Sequence, residues 1–142
     1  MTNRLTILLA LVSLTLSGCH QAAPASGVEP ATLNLTDWTE TTELYMEYPP
    51  LVAGRTARFA VHLTRLGDFQ PVNAGHAVLE FVGDAGGSPT TIAGPEPSRP
   101  GAFRVEGMVP RAGRYRWALV LQSPNLADRH DLGMVTVFPD DH

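Results

Sequence analysis

The chain has 142 residues, with ten arginines, no lysine and fourteen carboxylates, for a formal net charge of −4. That balance leaves no basic footprint for nucleic acid, and weak net acidity is ordinary solubility charge as readily as a lure for cations. One cysteine, Cys19, excludes an intramolecular disulfide, so a single domain of ordinary size must rest on a packed core.

Arg4 precedes an apolar run from Leu5 to Leu16, and Leu16-Ser17-Gly18-Cys19 follows. A positive start, an apolar stretch of roughly 12 residues where a spanning helix needs about 20, and small residues before a cysteine together read as a signal peptide with a lipobox. The expectation is export, removal of residues 1–18 and acylation of Cys19, leaving 124 of the 142 residues attached to a membrane by lipid. The anchor is expected to face the periplasm, and in a two-membrane bacterium His20 at the position after the cysteine, where an aspartate would retain a lipoprotein at the inner membrane, leads to the expectation of sorting to the outer one.

Residues 19–36 are rich in Ala, Pro, Ser and Gly without an apolar period, which predicts a flexible tether. From 37 to 139 short runs alternate with period two between Gly, Pro, Asn and Asp clusters, and no amphipathic helix of useful length occurs. Leu44, Met46 and Tyr48 alternate with Glu43, Tyr45 and Glu47 until Pro49-Pro50 removes backbone donors. Phe59, Val61 and Leu63 oppose Arg58, His62 and Thr64, while Ala77, Leu79 and Phe81 oppose His76 and Glu80. The turn-rich segment 67–75 between these two runs predicts that they are antiparallel neighbours. Residues 83–101 read as loop with an edge strand near Thr90–Ala93. Phe103 and Val105, then Tyr115 to Leu121, then Leu132 to Phe138 form the later strands, and 140–142 is an acidic tail.

Six strands are evident and the edge strand would be a seventh. Such a chain closes as two packed sheets, because a single sheet leaves its apolar face wet. The fold expected is therefore an all-β antiparallel β-sandwich of Ig-like, Greek-key type, with a small barrel as the alternative. Ala112-Gly113-Arg114-Tyr115 supports the sandwich, since a tyrosine just inside a late strand resembles the tyrosine corner.

No nucleophile–base motif, phosphate-binding glycine loop or H-E-x-x-H occurs, which argues against an enzyme and against a resident cofactor. The histidines are the candidate ligands for a soft or divalent metal cation. If the turn between them centres near Phe69, His62 and His76 face each other about 5 Å apart at Cβ. Two imidazoles fall short of a tight zinc or copper site, so solvated strand histidines are the plainer reading. His130 lies in Asp128-Arg129-His130-Asp131, read as the connection before the last strand, where two carboxylates either join it in holding a cation or hold the turn. Met46 and Met134 fall on core-facing phases and Met108 at a strand end, which favours core filling over soft-metal ligation. His142 with Asp140 and Asp141 is too brief to mark a site. Trp38 and Trp117 are expected to anchor the core, with Trp38 near enough to the domain edge to serve a partner surface.

Four segments carry a family resemblance: EYPPLVAGRTARFAVHLTRLGDFQPV from Glu47, PGAFRVEG from Pro100, AGRYRWALVL from Ala112 and DRHDLGMVTVFPD from Asp128. In combination they resemble the N-terminal β-rich region of periplasmic adaptor subunits of resistance-nodulation-division (RND) efflux pumps, chiefly the heavy-metal branch. The resemblance runs from about Trp38 to Pro139 and implies a stand-alone or truncated adaptor module. Its implied partners are a pump, adaptor or outer-membrane channel component. The expected function is thus a non-enzymatic periplasmic lipoprotein module associated with metal efflux, binding a cation or a pump component. A structural or interaction lipoprotein of the envelope with no metal role is the alternative.

Overall fold

A computed structural model describes residues 31–140. The signal peptide, Cys19, most of the tether and His142 lie outside the described residues. Nine strands follow in order: β1 (Leu33–Trp38), β2 (Thr42–Tyr48), β3 (Leu51–Val52), β4 (Ala57–Arg65), β5 (His76–Gly83), β6 (Thr90–Ala93), β7 (Ala102–Gly107), β8 (Gly113–Ser123) and β9 (Leu126–Phe138). They form two sheets, β1-β2-β4-β7 and β3-β9-β8-β5-β6.

The sandwich exists because period-two alternation turns one row of each strand inward. Leu44, Met46, Phe59, Val61, Leu63, Phe103 and Val105 from the first sheet meet Ala77, Leu79, Phe81, Trp117, Leu119, Leu121 and Val137 from the second, all buried. Tyr48 joins the two layers, its ring 5.1 Å from Trp117 and 6.1 Å from Phe59. The order of β2, β4 and β7 against β5, β8 and β9 is that of strands A, B and E against C, F and G of an immunoglobulin-type sandwich. β3 leaves the first sheet after Pro49-Pro50 and pairs in parallel with the end of β9. β6 extends the other edge, where the sequence had suggested an edge strand.

The tyrosine corner is present: Tyr115 Oη donates to the Arg111 carbonyl at 2.8 Å. Tyr115→Phe is expected to cost about 1 kcal/mol, visible as a lower urea midpoint with an unchanged denaturant slope.

Four sequence expectations are corrected. The folded part begins with β1 at Leu33, not at residue 37, because Leu35 and Asp37 fall on the inward phase opposite Met46 and Leu44. β4 and β5 are not neighbours but belong to opposite sheets, so segment 67–75 crosses the sandwich and does not close a hairpin between them. Residues 128–131 are strand, not connection, since β8 and β9 are joined through Pro124-Asn125 alone. Met134 faces out, 41% exposed. Between the pairs Arg116↔Met134 and Ala118↔Asp131, β9 has one more residue than β8, with Gly133 at φ 77°. The extra residue shifts the inward row from His130 and Leu132 to Val135 and Val137.

Candidate functional site: a braced loop end

The strand directions give the sandwich two unlike ends. Leu33, Tyr48, Gly107, Gly113 and Phe138 lie at one, so both ends of the described chain leave there. The other collects the β1–β2 turn (39–41), the β4–β5 segment (66–75) and the β8–β9 turn (124–125).

At this second end one carboxylate ties the β1–β2 turn and the start of β2 to β9. Asp128 Oδ2, on β9, accepts hydrogen bonds from the hydroxyls of Thr39 (2.6 Å), Thr41 (2.7 Å) and Thr42 (2.5 Å). Its other oxygen accepts from the Arg129 backbone N–H at 2.8 Å. Burial pushes the Asp128 carboxyl up, but the hydroxyl bonds from Thr39, Thr42 and Thr41 and the Arg129 N–H outweigh it, so the group sits below its ordinary value. Thr39 Oγ1 also accepts from the backbone N–H groups of Thr41 and Thr42, a side-chain-closed turn.

His130, fully buried, continues the network inward. Its Nδ1 lies 2.8 Å from Asp37 Oδ2 on β1, and its Nε2 lies 2.8 Å from Thr42 Oγ1 on β2. Asp37, His130 and Thr42 thus form the carboxylate–imidazole–hydroxyl arrangement of a hydrolase triad in outline. Thr42 is 0% exposed, however, and its hydroxyl is already directed at Asp128, so no substrate carbonyl can reach it. The chemistry of the cluster is to lock the β1–β2 turn onto β9: it satisfies the buried polar groups, and among the described residues no buried side-chain nitrogen or oxygen lacks a partner.

Two exposed aromatics stand on this braced end. Trp38, which closes β1, is 61% exposed and does not anchor the core, since its register opposite Glu43 turns it outward. Phe69 is 77% exposed and has φ 54°. Its turn is pinned by the Arg65–Asp68 fork (Nε–Oδ1 3.1 Å, Nη2–Oδ2 2.7 Å), by Arg65 N–H to the Gln70 carbonyl (2.8 Å) and by Gln70 N–H to Asp68 Oδ1 (3.2 Å). The Leu66 N–H reaches the Thr41 carbonyl at 2.9 Å, so the Phe69 turn and the β1–β2 turn are tied to each other.

The three histidines put forward as metal ligands do not converge. His62 sits on the outer face of β4 beside the Tyr45 ring, at 6.0 Å, while His76 opens β5 in the other sheet, its Nδ1 donating to the Gly94 carbonyl at 3.0 Å. The bridged pair expected from a β4–β5 hairpin therefore does not form. His130 has both ring nitrogens engaged in the interior. Asp131 points to the opposite face of β9, where it pairs with Arg129 at 2.9 Å. Among the described residues no group of three His, Cys, Asp or Glu side chains is placed to hold a metal ion. Met46 fills the core as expected, and Met108 is 51% exposed.

Asp37, Thr39, Thr41 and Thr42 were missed in sequence. The run Asp37-Trp38-Thr39-Glu40-Thr41-Thr42 is unusually rich in hydroxyls for a turn entering a strand, but nothing local says that a carboxylate some 86 positions later receives them. No protein-family model, curated protein or solved structure matches this chain.

Proposed function

We propose that this protein is a lipid-anchored, non-enzymatic interaction module of the bacterial periplasm. Cys19 holds it to the outer membrane, and its braced loop end engages an envelope protein, in the first instance a component of an RND-type metal-efflux assembly. The observation that carries the reading is the polarity of the domain: the chain bound for the anchor enters at one end, and the two most exposed aromatic side chains, Trp38 and Phe69, stand at the other. β9, 13 residues long, spans roughly 40 Å between these ends. A rigid scaffold with aromatic contacts on loops at one end is the general design of sandwich-based binders. The efflux association rests on the resemblance of the four sequence segments. The scattered histidines favour a protein client over a cation.

The test is photocrosslinking in cells of the full-length chain carrying p-benzoylphenylalanine at Glu40 on the braced end or at Ser88 on the opposite end. A discrete adduct with one envelope protein from position 40 and none from 88 is the expected result, weakened when Cys19→Ser releases the chain from the membrane fraction. No adduct from position 40, or equal adducts from both, overturns the reading. An adduct with a protein unrelated to efflux keeps the module and removes the efflux link.

A further inference from the structure

We propose that Phe69 is the anchor of this interaction, inserting its ring into an apolar, basic-rimmed pocket of a different protein; the proposal rests on the interaction reading above and names its contact. A left-handed φ costs a bulky L-residue free energy that glycine or asparagine largely avoids. Phe69 adopts φ 54° while 77% exposed, so no packing within the domain offsets that strain. The left-handed backbone belongs to the short loop that closes Arg65 on Gln70, but the phenylalanine side chain does not: the hydrogen bonds that close the turn come from Arg65, Asp68 and the Gln70 backbone, and glycine or asparagine would adopt the same φ at lower cost. A bulky, exposed side chain kept at a left-handed position where a smaller residue would cost less is accounted for by a contact made outside the domain. Because the backbone beneath the ring is already pinned, binding has only the two side-chain torsions of the phenylalanine left to order.

The occupant is a protein pocket and not a bilayer, because Glu40 and Glu43 stand at this end while Arg65, the basic residue of the turn, is already paired with Asp68, which leaves little to draw the ring onto anionic lipid. A second copy is disfavoured by the same carboxylates, which would meet their own kind across a two-fold axis. Those charges call instead for arginine or lysine at the rim of the pocket.

The experiment uses the full-length lipoprotein in cells with p-benzoylphenylalanine replacing Gln70, in backgrounds with Phe69 intact, Phe69→Gly and Phe69→Trp. Tm is measured on the same detergent-solubilised chains without the photoprobe. Phe69→Gly is expected to raise Tm by about 1–4 °C while lowering the yield of a single envelope-protein adduct at least tenfold, and Phe69→Trp to keep the adduct. A fall in Tm with Phe69→Gly makes Phe69 structural and overturns the proposal, as does an undiminished adduct, an adduct at twice the chain's own mass, or one with lipid. If Phe69→Gly changes nothing while the adduct from position 40 survives, only this inference fails; loss of adducts from both positions removes the interaction reading itself.

Discussion

Asp128→Ala is expected to lower the unfolding free energy by about 3 kcal/mol, since hydrogen bonds to a charged acceptor contribute about 1.5–3 kcal/mol each and part of the loss is recovered when exposed hydroxyls rehydrate. Thr41 is exposed and rehydrates freely, whereas Thr42 is sealed in the interior and keeps only His130. Asp128→Asn retains the shape and one acceptor oxygen, and its cost should fall to about half that figure. The pair of variants also carries a pH signature. The folded-state value of Asp128 lies below its unfolded one, so its contribution is fully present above the ordinary aspartate value of about 4 and is lost as pH falls through the folded value. Urea unfolding from pH 7 down to 2.5 should therefore show a constant gap between wild type and Asp128→Asn above about pH 5 that narrows on acidification. A gap that widens with acid would mean that the carboxylate is strained in the fold and not stabilised by it.

Gly75→Ala should be at least as damaging, about 3–4 kcal/mol. Gly75 has φ 95°, which an L side chain rarely adopts. A Cβ there would stand 2.4 Å from the Gln122 carbonyl oxygen and 2.8 Å from Ser123 Cα. Those are backbone atoms at the end of β8, where its ladders with β5 and β9 close with His76 opposite Gln122 and Ser123 opposite Leu126. Relief requires the β4–β5 segment to lift away from the β8–β9 turn, which would loosen the braced end as well as the fold. Hydrogen exchange should therefore accelerate first at the amides of 63–72, where Val72 N–H bonds to the Leu63 carbonyl. Wild-type-like stability in Gly75→Ala would show that the segment has freedom its contacts do not suggest.

These two residues illustrate different kinds of legibility. Gly75 could be read as a turn glycine, but its need for an absent Cβ comes from β8, a strand that local sequence does not pair with it. Asp128 could be read as a polar residue of a loop, because a DRHD run looks like a connection when the strand is judged from its apolar alternation alone. The alternation there is Leu126, Asp128, His130, Leu132, a strand whose inward row is half polar. Such a row becomes visible only once Thr39, Thr41, Thr42 and Asp37 arrive to satisfy it.

The sequence by itself determined the class of fold. Period-two rows such as Phe59, Val61, Leu63 and Ala77, Leu79, Phe81 can bury themselves only as sheet faces, and two such faces in a chain of this size pack on each other. It also determined the tyrosine corner and the edge strand of the 83–101 loop, because both depend on nearby residues. Tertiary structure alone decided which strands share a sheet, since pairing is chosen by contacts far apart in the chain and a turn-rich segment serves a hairpin or a crossing equally well. It alone decided the phase of β9 beyond Gly133, where one extra residue exchanges the inward and outward rows. And it alone assembled the braced end, where hydroxyls at 39–42 meet a carboxylate and an imidazole at 128–130: a buried polar group is stable only with partners, and here the partners lie at the opposite end of the sequence.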